Sequence, residues 1–106
     1  MDTNAVVVAD LTGTIRFWSP GAAEAFGHPA HEAVGQTLNL IVPPEHRDAH
    51  WIGFRRALET GVAAVEGVKS PFPVRRADGT VAVAPGRLTL LREPDGRPIA
   101  AVVVFG

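Results

Sequence analysis

A chain of 106 residues with a formal charge of −1 and evenly mixed signs has room for one hydrophobic core. It offers no polybasic surface for nucleic acid or acidic lipid. The absence of cysteine excludes a disulfide scaffold, a thiolate zinc or iron-sulfur site and a thiol nucleophile. No basic leader opens the chain and no apolar run reaches the roughly 20 residues of a membrane-spanning helix, so the expectation is one cytoplasmic domain over residues 1–106, cut from something longer.

Residues 5–9, AVVVA, form a β-branched run, and Asp10-Leu11-Thr12-Gly13 is a turn into Thr14-Ile15-Arg16-Phe17-Trp18. Together they predict a hairpin, with Ile15 and Phe17 on one face of the second strand and Arg16 and Trp18 on the other. Ser19-Pro20 starts a helix, because serine is a good N-cap and proline suits the first helical position. Ala22, Ala23, Ala25 and Phe26 supply its buried side, and Gly27 ends it. Residues 28–35 read as a loop with a single helical turn, in which His28 and His31 are solvated. Residues 37–42 read as a short helix dipping into the core before Pro43-Pro44.

The longest helical run follows, residues 45–60, opened by two prolines and closed by Gly61. His46, His50, Gly53 and Ala57 share one side, with Trp51, Phe54 and Leu58 adjoining, while charged residues cover much of the rest. A glycine in a helix interior costs about 1 kcal/mol against alanine, so Gly53 needs a reason. Two reasons are open: a flat group passing close to the backbone, or close packing on a strand.

Residues 64–74 carry Pro71 and Pro73, which mark an edge or bulged strand because proline donates nothing to a ladder. Asp78-Gly79 is a hairpin turn. Residues 80–91 alternate Ala82, Ala84, Gly86, Leu88 and Leu90 against Val81, Val83, Pro85, Arg87 and Thr89, and the small residues leave room inside. After a turn at residues 93–97, residues 99–105 form a strand apolar on both faces, whose outer face predicts a covering helix or a second subunit. The sum is an α+β domain with an antiparallel sheet curled around helices. Carboxylates at Asp10, Glu24, Glu45, Asp48 and Glu66 show no catalytic pairing, and no phosphate loop or nucleophile-base pair occurs, so no enzyme and no catalytic residue is expected.

The ordered pieces Val8-Ala9-Asp10 to Thr14-Ile15, Phe17-Trp18-Ser19-Pro20-Gly21-Ala22-Ala23 with Phe26-Gly27, Glu32-Ala33-Val34-Gly35, Ile41-Val42-Pro43-Pro44 and Arg75-Arg76-Ala77-Asp78-Gly79-Thr80 resemble the PAS (Per-Arnt-Sim) sensor domain over essentially the whole chain. The resemblance implies a PAS fold: a five-stranded antiparallel sheet of order 2-1-5-4-3, with short helices and one longer helix on one face and a cavity beneath the long helix. It further implies a homodimer and the sensory input of a signalling protein, whose output domain is a histidine kinase or a cyclic-dinucleotide enzyme.

Residues 41–61 look most like the haem-binding PAS domains of bacterial oxygen-sensing kinases and phosphodiesterases. On that match b-type haem is held by His50 as proximal iron ligand, with His46 as the second suspect, and the domain senses a diatomic gas, O2, CO or NO. Gly53 would let the porphyrin lie near the helix, and Arg56 falls where those sensors place a propionate-contacting arginine. Val68, Ser70, Gly86 and Leu88 would form the distal wall. The distal arginine of those sensors is absent, with Ser70 and Lys69 in its neighbourhood, and so is their exchangeable methionine ligand, since Met1 is the sole methionine and the matching neighbourhood is Val68. The other reading is a haem-free PAS domain acting as a small-ligand-binding or dimerisation module. A light-sensing flavin adduct requires a cysteine, and none is present.

Overall fold

The computed structural model describes residues 4–106; Met1 lies outside them. The elements are β1 (Ala5–Asp10), β2 (Ile15–Trp18), α1 (Pro20–Phe26), α2 (Ala30–Ala33), 3-10 turns at Leu38–Leu40 and Pro44–His46, α3 (Arg47–Thr60), β3 (Ser70–Arg75), β4 (Val81–Arg92) and β5 (Pro98–Phe105). The five strands form one antiparallel sheet of order β2-β1-β5-β4-β3, as the resemblance implies. The turn at Pro44–His46 runs directly into α3, so the two make one longer joined helix.

The local signals act as their chemistry requires. Ser19 caps α1, its hydroxyl accepting from the Ala22 N–H at 3.1 Å, and Pro20 takes the first helical position. The same hydroxyl accepts from Val6 N–H at 2.8 Å, which ties the helix start to the first strand. Gly61 ends α3 with φ 76°, a left-handed conformation that glycine adopts without penalty. In β4 the alternation is observed: Ala82, Ala84, Gly86, Leu88 and Leu90 turn inward, and Val81, Val83, Pro85, Arg87 and Thr89 outward.

The hairpin differs from the expected alternation. Trp18 pairs with Val7 and Phe17 with Val8, but Ile15 pairs with Ala9, so the register shifts by one residue at Arg16. This bulge puts Ile15 and Trp18 both in the core and leaves Phe17 49% exposed. The strand expected over residues 64–74 begins only at Ser70. The residues before it form a loop whose Glu66 bridges to Leu88 beside the sheet, and Gly67 N–H donates to Leu88 O at 2.9 Å.

Two clusters fill the inner side of the sheet. The larger joins Ile15, Trp18, Ala22, Phe26, Ala33, Val74 and Phe105. The smaller is Ala57, Ala63, Leu90 and Ala101, with Phe54 and Leu88 against it.

Candidate functional site

The site is the space between α3 and the sheet. Although α3 has 14 residues, it buries only Ala57. Its start is held at a distance from the strands by side chains that bind the preceding turn. Arg47 donates through Nε to Val42 O and through Nη2 to Asn39 O, both at 3.2 Å, and Trp51 Nε1 donates to Asn39 Oδ1 at 2.8 Å. The Trp51 ring lies over Gly13, where a Cβ would come within 2.3 Å of it. Its end is held by Arg92, whose Nη2 donates to Gly61 O at 3.0 Å while Nη1 donates to Glu66 Oε2 at 2.9 Å. Glu66 also accepts from Leu90 N–H, and its carboxyl is held below the usual range, first by Arg92 and then by that amide.

A helix anchored at both ends and packed by small residues borders a partly open cavity of about 700 Å³, within the roughly 300–1,000 Å³ of small-molecule sites. Its sheet wall is apolar, with Phe72, Val74, Leu88, Leu90, Ala101 and Val103. The polar lining groups, His46, His50, Arg56 and Thr60, all come from α3 and the turn before it. A Cβ built on Gly53 meets nothing within 4 Å, so this glycine faces open space, and close packing on a strand is not its reason.

His50, Gly53, Arg56 and Leu88 line the cavity together. Val68, Ser70 and Gly86 lie outside its lining. Val68 is 59% exposed, Ser70 turns its hydroxyl to Val68 O at 3.0 Å, and Gly86 is covered by Phe105 and the β5 backbone. The sequence reading missed Ala49, Ala63 and Ala101, which contribute space by being small. Their signal was the run of alanines at positions facing one another across the fold, visible only once the pairing is known.

The ring of His50 stands edge-on to Trp51, with centroids 4.7 Å apart, and is stacked on Phe54 at 6.0 Å. Its Nδ1 is buried without a hydrogen-bond partner, and burial lowers its pKa, because the charged imidazolium loses hydration and gains nothing in return.

The haem expectation is corrected by this donor set. Among the described residues no group of three or more His, Cys, Asp or Glu side chains is placed to hold a metal ion. A metal-ligating histidine is normally fixed by an acceptor on its second nitrogen, and His50 has no partner at Nδ1. The residues therefore do not fit haem b, His50 is not assigned as an iron ligand, and the sensing of O2, CO or NO that depended on iron falls with it.

An antiparallel sheet of order 2-1-5-4-3, with an apolar cavity under one long helix, is the architecture that the resemblance to the PAS domain implied. The family model described as PAS fold matches residues 2–105, and the chain belongs to that family: a non-catalytic sensory domain. Among curated proteins it is 29% identical over 74 residues to the oxygen sensor protein DosP of Escherichia coli, 34% over 93 residues to an uncharacterized protein of Azorhizobium caulinodans and 31% over 77 residues to the sensor protein FixL of Bradyrhizobium diazoefficiens. The matches cover 70%, 85% and 73% of this chain but only 9%, 12% and 15% of those proteins. Among solved structures, a PAS domain from Colwellia psychrerythraea superposes with a TM-score of 0.82 at 19% identity, over 99% of this chain and 86% of the other. The PAS domain of the Cronobacter turicensis quorum-sensing receptor RpfR, solved with BDSF, gives 0.77 at 15% identity, over 99% and 93%. At these identities the superpositions establish the fold.

Proposed function

We propose that this PAS domain is a haem-free input module that binds an apolar small molecule between α3 and the sheet, with His50, Gly53, Arg56 and Leu88 among its contacts. The observation that carries this reading is the cavity itself, where Ala49, Gly53, Ala57, Ala63 and Ala101 stand in place of core-filling side chains. Unfilled apolar volume forfeits dispersion contacts, and a ligand of matching shape restores them. Support by analogy comes from the RpfR PAS domain, which has the same fold and is solved with BDSF and with C12:0.

The matched relatives are several times longer than the aligned segment, which supports a single domain working within a cytoplasmic signalling protein with a kinase or cyclic-dinucleotide output. No described helix is long and apolar enough to cross a membrane. The exposed outer residues Val81, Val83, Leu91 and Val104 support a homodimer formed on that face. Ligand entry acts by favouring one of two positions of α3, and Arg92 links its end to β4; a ligand with equal affinity for both positions would signal nothing.

The test is fluorescence titration with N-phenylnaphthylamine, a neutral apolar probe. The wild type is expected to enhance its emission at one probe per chain. Gly53→Leu fills the cavity while raising helix propensity, so it is expected to gain roughly 0.5–1 kcal/mol of stability and to lose the probe. Undiminished binding by a folded Gly53→Leu domain would place the probe elsewhere and refute the cavity reading.

A further inference from the structure

The sign of the groups around the cavity narrows the ligand, and this inference rests on the cavity reading above. The side chains facing the space from β1, β3, β4 and β5, from Leu38, Ile41 and Val42, and from the loop after α3 are all apolar. The titratable and charged lining groups are His46, His50 and Arg56, and no carboxylate is among them. Asp10, Glu66 and Asp95 are engaged by Arg16, Arg92 and Arg97, whereas Arg56 has no ion pair among the described residues. The hydroxyl of Thr60 is turned back to its own helix, donating to Arg56 O at 2.8 Å. The polar wall therefore offers donors and positive charge, with no fixed anion to oppose a negative ligand.

His50 sharpens this. An Nδ1 that is buried and unpartnered is a poor place for a proton, because an N–H there would be desolvated without an acceptor. The neutral ring then carries its proton on Nε2, the nitrogen that is not sealed off, and presents it as a donor. A donor on a half-buried ring, with a guanidinium six residues further along the same helix on the cavity lining and an apolar sheet opposite, suits one kind of small molecule.

We infer that the cavity selects organic monocarboxylates with an extended apolar body, the carboxylate accepting a hydrogen bond from His50 and facing Arg56, and the apolar body lying along β4 and β5. Cationic ligands are rejected by the same wall. Neutral alcohols bind through the body alone, with one weaker hydrogen bond.

Competitive displacement of N-phenylnaphthylamine by decanoate, decanol and decylamine tests this. The wild type is expected to bind decanoate about tenfold or more tightly than decanol, the scale of one charge-assisted hydrogen bond, and decylamine most weakly. Arg56 is exposed, so Arg56→Glu should fold normally and invert the order, with decylamine ahead of decanoate. His50→Leu should narrow the gap between decanoate and decanol, and His50→Gln, which keeps an N–H donor, should restore part of it. Equal displacement by decanoate and decanol in the wild type would overturn the selectivity and leave the cavity reading standing. Failure of all three to displace a bound probe, or of the probe to bind, would overturn both. A carboxylate preference untouched by Arg56→Glu and His50→Leu would refute the assignment to these residues.

Discussion

Under β1 and β2, the seven-residue helix α1 buries Gly21, Ala22 and Phe26, whereas α3, with 14 residues, buries Ala57 alone. At the first end Phe26 meets Trp18 and Phe105 with ring centroids 5.9 and 5.1 Å apart, Ile15 has no exposed surface, and Trp18 Nε1 donates to His28 O at 2.8 Å. At the second end the buried cluster is small, three alanines with Leu90, and hydrogen bonds at the helix ends hold α3 in place. One half of the sheet thus supplies stability, which lets the other half keep open volume. A small domain has little stability in reserve, so the filled α1 side helps offset the packing forgone around the cavity.

The contrast can be broken most severely at Phe26. Phe26→Ala should destabilise the domain by about 3–5 kcal/mol, the range for a large aromatic removed from a packed core, read as a lower urea midpoint with unchanged slope. An effect below that of an alanine-lined position would mean that the α1 side is not the rigid half.

Gly13 ties the two halves together. With φ 78° and the Trp51 ring where a side chain would begin, Gly13→Ala must distort both the turn and the start of α3, and about 1–3 kcal/mol is expected for a residue forced into this region. Weaker probe binding should accompany the loss, measured in the same samples. Stability lost without any change in binding would separate Trp51 from the placement of α3.

The smallest effect is one of pH, confined to the open half. His50 titrates below its ordinary value when folded because it is partly desolvated. The unfolded chain therefore takes up the proton first. The stability contributed by neutral His50 is complete above about pH 6.5, the free imidazole value, and declines as pH falls through it toward the lowered folded value. His50→Leu should flatten that part of a urea-midpoint profile. Asp10 and Glu66 act in a separate window. Asp10 is held low first by the Thr12 hydroxyl and also by Arg16, and Glu66 by Arg92, so their contributions are present above roughly pH 4 and are lost on acidification below it. An unchanged slope near neutrality in His50→Leu would show that the ring is hydrated after all.

Much of the architecture was legible because it rests on neighbours in sequence. Ser19-Pro20 announced α1, Asp78-Gly79 its hairpin, and the alternation in β4 its inward face, and each depends on backbone rules that act within a few residues. The faces of Ile15 and Phe17 were misread because a one-residue bulge at Arg16 reverses the alternation, and a bulge leaves no local mark when no glycine signals it. The loop before Ser70 was read as strand because its valines have strand propensity, while its true ties, Glu66 to Leu90 and Arg92, join residues 24 and 26 apart.

For the site, helical spacing in the sequence put His50 and Gly53 on one side of the long helix, and Arg56 joined them only through the resemblance. Turn and cap chemistry marked most of the elements and the α+β class, while the strand order came from the resemblance to the PAS family and not from local chemistry. Whether a histidine ligates a metal depends on which donors and acceptors surround its second nitrogen, and whether a glycine faces a strand or a void depends on how far the helix stands from the sheet. Both are distances between residues remote in the chain. Only the tertiary structure decided them, leaving Nδ1 of His50 without a partner and Gly53 facing open space.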